Sequence, residues 1–190
     1  MASSKTILKP KDSGKIIVPI PDVTQHSNFS CGAAVVHSVC CYFGVGLDHE
    51  LDYWDFLETE STYGTLPQKI INFVLEQGLM VSLEHDMSIN GLKSHIRNGN
   101  PVVLPIQAHG NPKKYHENLS GHYVVAIGFD SRSIYFEDPM LRNFRGHLKN
   151  KDLMARWHDR AGDGIEYKRS GIIVKSRSKP AYLNISKPIP

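Results

Sequence analysis

Cys31 is the residue of this sequence best placed for covalent chemistry. It opens the apolar run SCGAAVVHSVCCYFG, which puts it in the first turn of a predicted helix, followed by Gly32. The first turn of a helix carries free N–H groups and the positive end of the helix dipole. Both favour the thiolate, the nucleophilic form of cysteine. A cysteine further along a helix is more often a small buried residue, and Cys40 and Cys41 read that way. Gln25 stands six residues before Cys31 on an extended lead-in segment. Its amide NH₂ and the Cys31 backbone N–H together suit an oxyanion hole. Alone, Gln25 reads as a solvated loop residue; the pair is far more specific than either member.

A nucleophilic thiol needs a base, and ten histidines make any choice depend on context. His122 begins the strand-like segment GHYVVAIGF, where a strand end can face the mouth of a cleft and Gly121 leaves room for the ring. Alternation puts Val124 and Ala126 on the same face as His122. A buried, hydrogen-bonded strand histidine would look the same. The base in turn needs an orienting group. Asp138 ends the next strand, SIYFED, and an antiparallel hairpin turning near Asp130–Ser133 sets that end beside His122. The same register sends Glu137 to the opposite face. An Asp-Pro turn initiator is the competing reading of Asp138 and Pro139.

The elements that must position these residues follow from pattern. Ser30 can cap the Cys31 helix and Gly44 can end it; Val36, Val39, Cys40 and Phe43 give it a buried face. DHELDYWDFLETE is predicted as a second helix. LPQKIINFVLEQG is a third, with Pro67 in its first turn and Gly78 at its end. LMVSLEH is a strand, and SINGLKSHIRNGN a helix capped by Ser88. PVVLPIQA, HYVVAIGF, SIYFEDP and GIIVKS are strands. Helices fill the first half and strands the second, which predicts an α+β fold with a mainly antiparallel sheet. Residues 1–14 read as a flexible N-terminus, 15–176 as one domain and 177–190 as a C-terminal tail.

Composition sets the bounds. The hydrophobic share of 41% supports a real core, and a net charge of +3 from scattered basic residues does not indicate nucleic acid. No apolar run is long enough for a membrane span. The N-terminus lacks the apolar stretch of a secretory signal. Cys31, Cys40 and Cys41 are an odd number with two adjacent, a poor disulfide framework. A cytoplasmic location is expected, or export without a classical signal peptide.

Taken together, QHSNFSCGAAVVHSVCCYFGV, NGNPVVLPI, GHYVVAIGFD and IYFEDP resemble the bacteriocin-processing cysteine peptidases, over about residues 15–175. Members of that family usually sit at the N-terminus of a peptide-exporting ABC transporter and remove leader peptides after a double glycine. The resemblance implies a papain-like fold, with a helical half carrying Cys31 and a sheet half carrying His122 and Asp138. It implies Cys31 as nucleophile, His122 as base, Asp138 as orienter and Gln25 as oxyanion residue, with a peptide or protein substrate and no cofactor or metal.

The sequence departs from the family in lacking transporter domains and in carrying an insert, AHGNPKKYHENLSG, and an added segment around RWHDRAGDGIEYK. The insert, 108–121, lacks an apolar face and is expected to be a mobile rim or lid. His109 and His116 within it read as solvated rather than metal-binding, and Trp157 as a packing anchor rather than a cleft residue. The same residues would also serve a deamidase, a transglutaminase or an acyltransferase, including a secreted effector. A catalytically silent peptide-binding domain is a further alternative, disfavoured by the intact set of four residues.

Overall fold

The computed structural model describes residues 14–177. Expectations for 1–13 and 178–190, including most of the flexible N-terminus and the tail, lie outside the described residues. The elements are β1 (Ile16–Ile17), α1 (Cys31–Phe43), α2 (Tyr53–Phe56), α3 (Pro67–Glu76), β2 (Met80–Glu84), α4 (Ile89–Arg97), β3 (Val102–Gln107), β4 (Gly121–Phe129), β5 (Ser133–Glu137), β6 (Gly146–Lys149), α5 (Asn150–Arg156), β7 (His158–Arg160), β8 (Glu166–Lys168) and β9 (Gly171–Lys175). The main sheet runs β2-β9-β3-β4-β5-β6, with β1 on β4, and β7 pairs with β8 in a separate hairpin. The pairings between these strands are antiparallel, as the α+β reading requires. Among the described residues no helix is long and apolar enough to cross a membrane.

α1 is the central helix. Ala33, Ala34, Val35, Val36, Val39, Cys40 and Tyr42 are all buried. Three valines in thirteen residues make a mediocre isolated helix, so packing rather than propensity must hold it. Each buried valine contributes on the order of 1.5–3 kcal/mol, and a charge at Val36 would break the element. Gly44 ends the helix in the left-handed region, its N–H reaching back to the Cys40 and Cys41 carbonyls. Every residue of β3 is buried, which explains its unbroken apolar run: helices cover one face and other chain covers the other.

Three expectations are corrected. The long second helix is only a 3-10 turn, Glu50–Asp52, and the single turn α2. Tyr53 and Leu57 are pulled into the core, and Glu58, at φ 48°, turns the chain out of the helix. The insert is not structureless: Pro112–Glu117 forms a 3-10 turn around buried Tyr115, and Ala108 N–H donates to Ser120 O at 2.9 Å, tying its ends. One aromatic does there what an apolar face would do. Ser30 begins α1 without capping it by its side chain; its hydroxyl instead accepts from the Ser27 N–H at 3.1 Å. β6, α5 and the β7–β8 hairpin were not foreseen, because each is short and buries only one or no large side chain. Trp157 is fully buried between α5 and β7, its indole N–H donating to Ser170 O at 2.8 Å, so it anchors the hairpin.

Candidate active site

The site is built where the start of α1 meets the start of β4. Cys31 is partly exposed. Because no side chain caps α1, its first N–H groups are not spent on a cap. Gly32 is required by space: a Cβ there would collide with Thr65, whose hydroxyl hydrogen-bonds that of Thr59 at 2.7 Å. That loop can therefore lie directly against the start of α1.

His122 is buried at the start of β4, opposite Ile106 of β3. Its Nε2 lies 2.8 Å from Asp138 Oδ1, and Cys31 lines the same cleft, near enough to raise the ring's pKa. With Nε2 taken by the carboxylate, Nδ1 is the ring nitrogen left for sulfur. Asp138 is itself buried just beyond β5 and receives the Met140 N–H at 3.0 Å. The β4–β5 hairpin closes at Asp130, whose N–H donates to Ser133 O at 3.1 Å. Glu137 faces elsewhere, taking the Val23 N–H at 2.9 Å and pairing with Arg145. A uniform register from the Asp130–Ser133 turn would place Glu137 on the His122 face. A β-bulge between Ala126 and Gly128 shifts the pairing by one residue and brings Asp138 to that face instead.

Electrostatics follow the contacts. Burial alone would lower the His122 pKa, but the Asp138 hydrogen bond and then the nearby Cys31 outweigh it, raising it to about 9. Burial alone would raise Asp138; hydrogen bonds from His109 and His122, and the His122 charge, instead hold its carboxyl well below the usual range. Cys40 lies at the other end of α1, where burial pushes its thiol up to about 12. Burial also raises Cys41.

Gln25 lies beside this group. Its backbone N–H donates to Pro139 O at 3.0 Å, so the lead-in segment is stitched to the turn that carries Asp138. Its side-chain NH₂ donates to Ser27 O, which leaves the second amide hydrogen, while Oε1 is buried without a hydrogen-bond partner.

Two residues of the site escaped the sequence argument. His109, read as solvated, has its Nε2 2.8 Å from Asp138 Oδ2 and its ring edge-on to His122 with centroids 5.0 Å apart. A left-handed backbone at His109, φ 58°, turns the ring inward, and no sequence pattern announces that conformation. Asp159 of β7 lines the same cleft, which encloses about 880 Å³ and runs past Cys31, His122 and Tyr63. The donor atoms of His109, His122 and Asp138 lie within 4.8 Å of one another, close enough for a metal ion. Each histidine already spends its atom on an Asp138 oxygen, so the set closes on itself through hydrogen bonds.

The family model described as the Peptidase_C39 like family matches residues 17–164. A Bacillus anthracis protein described as a C39-like peptidase superposes with TM-score 0.67 at 16% identity, covering 87% of this chain and 99% of that one. A double glycine motif protease from an AMS/PCAT transporter, solved with its leader peptide, gives TM-score 0.60 at 17% identity, covering 84% and 94%. The peptidase domain of Streptococcus ComA, a bi-functional ABC transporter of a quorum-sensing pathway, gives 0.59 at 17% identity, covering 80% and 96%. No curated protein matches by sequence. With its helix-borne cysteine, antiparallel sheet and a family match over most of its length, the chain belongs to the Peptidase_C39-like family and has the papain-like fold of the C39 peptidases.

Proposed function

We propose that the protein is a cysteine peptidase that cleaves a peptide bond with Cys31 as nucleophile and His122 as base, Asp138 orienting the ring. The observation that carries this reading is the buried His122–Asp138 pair, 2.8 Å apart, with Cys31 at the start of α1 lining the same cleft as the ring. The Cys31 thiolate attacks the scissile carbonyl carbon, and the oxyanion is taken by the Cys31 N–H and the Gln25 amide. The tetrahedral intermediate collapses to a thioester as the C–N bond breaks, and the His122 imidazolium gives its proton to the leaving amine. Water then attacks the thioester, His122 takes its proton, and the acid leaves with Cys31 restored as thiolate. No cofactor enters these steps. His109 acts as a positioning residue: its bond to Oδ2 fixes the carboxylate plane so that Oδ1 meets the ring.

The similarity to a double glycine motif protease supports small residues such as Gly-Gly before the scissile bond. The test is a peptide library incubated with wild type and with Cys31→Ala, products identified by mass spectrometry, and a wild-type reaction quenched to trap a thioester on Cys31. New peptide termini from wild type alone are the expected result. Ammonia released from intact peptides would make the enzyme a deamidase; amide exchange onto an added amine would make it a transglutaminase. Binding without turnover would make it a silent module.

A further inference from the structure

The β7–β8 hairpin brings a carboxylate into the cleft that the proposed chemistry does not use. Asp159 is half-buried and its Oδ1 is held firmly: Gln107 Nε2 donates to it at 2.8 Å and to His158 O at 3.2 Å. Gln107 is itself fully buried at the end of β3, and its Oε1 accepts the Ser120 N–H at 2.9 Å. On the other side the carboxylate rests on Gly121, where any Cβ would collide with it. Gly121 pairs with Gln107 across β3 and β4, so the acid sits over a cross-strand pair one residue before the base. Trp157 at the root of the hairpin is buried and hydrogen-bonded, which makes the placement rigid.

Among the described residues, no Lys, Arg or His forms an ion pair with Asp159. Its strand neighbour Arg160 is exposed, as alternation along β7 requires. Even for a half-buried carboxylate without a counter-ion, lost hydration is costly unless something supplies the charge, and this one opens onto a substrate-sized cleft.

We propose that Asp159 is a specificity site for a cationic side chain, lysine or arginine, of the peptide bound in the cleft. The proposal rests on the peptidase reading and names its substrate class more closely. Alternation along β4 sets Gly121 and His122 on opposite faces, so a peptide lying across Cys31 reaches Asp159 round the strand's start. A long, flexible cationic side chain suits that path. The residues flanking the scissile bond on the other side can remain small.

The test uses one neutral peptide backbone with lysine, norleucine or glutamate walked through the positions around the scissile bond. kcat/KM is measured with wild type and Asp159→Asn, and binding to Cys31→Ala by fluorescence anisotropy. At one position lysine should exceed norleucine by roughly tenfold and glutamate should be rejected, as for a charge-assisted hydrogen bond. In Asp159→Asn the lysine-to-norleucine ratio should fall to about one. Should that variant fail to fold, the wild-type series still decides. Equal cleavage of all three peptides at every position would overturn the cation site and leave the peptidase reading standing. Selective lysine binding to Cys31→Ala without cleavage by wild type would do the reverse. An unchanged ratio in Asp159→Asn would also overturn the assignment.

Discussion

Two carboxylates sit against the start of β4, Asp138 on His122 and Asp159 on Gly121, and have opposite fates. Asp138, at the end of β5, takes hydrogen bonds from His109, His122 and the Met140 N–H, and these hold its carboxyl far below the ordinary range. Asp159, on β7, has amide partners and, among the described residues, no ion pair; burial pushes its pKa up to about 6, against the smaller lowering effects of the Arg160 N–H and Gln107. Asp138 is buried and Asp159 half-buried, yet it is the less buried carboxylate whose pKa rises, so the difference comes from the neighbours. A carboxylate ringed by imidazoles has its charge already balanced, as the proposed orienting role of Asp138 requires, whereas one clamped by an amide without such a partner suits the proposed role of receiving a cation.

The largest effect that would sharpen this contrast is on turnover. Replacing Asp138 by Ala removes the group that orients and charges His122, and kcat/KM should drop by about 10²–10⁴, with KM little altered. A loss under threefold would mean that another group orients the ring. His109→Ala should cost less, roughly tenfold in kcat, and His109→Gln, which keeps an N–H donor, should recover most of it. Equal loss in both variants would reduce His109 to a packing role.

The smallest effect concerns stability and has the opposite sign for Asp159. Its folded pKa, about 6, exceeds the unfolded value of about 3.9. Ionisation therefore costs stability, a cost that sets in as pH rises past the unfolded value and is complete above the folded one. Asp159→Asn should raise the free energy of unfolding in urea by up to about 2 kcal/mol at pH 7.5 and change it little near pH 4. Destabilisation at pH 7.5 would show that the carboxylate is already neutralised inside the protein. A site that gains stability while losing lysine selectivity is what a binding residue held against its own electrostatics should give.

The residues with regular surroundings were legible in the sequence. Cys31 announces itself because a helix start is a strong pattern. Strand order brings the end of β5 towards the start of β4, but Asp138 rather than Glu137 shares a face with His122 only through the β-bulge between Ala126 and Gly128, which no sequence pattern announces. β3, α3 and α4 follow from apolar runs, proline and the Ser88 cap, whose hydroxyl does accept the Gly91 N–H at 3.0 Å. His109 and Asp159 were hidden for a common reason: each depends on tertiary placement of irregular chain. A left-handed turn at His109 and a three-residue strand under Asp159 leave no periodic trace. The expected second helix failed because burial of Tyr53 and Leu57 overrode its helical pattern.

The central claim is that Cys31 is activated by His122. It is tested most directly by limiting iodoacetamide at pH 6, with modified peptides mapped by mass spectrometry over time. Burial raises the thiols of Cys40 and Cys41, so Cys31 should be alkylated at least roughly tenfold faster than either. His122→Ala should remove most of that advantage, and in wild type the imidazolium's contribution should fade as pH rises through about 9. Similar rates at the three cysteines, or a Cys31 rate indifferent to His122, would contradict the account.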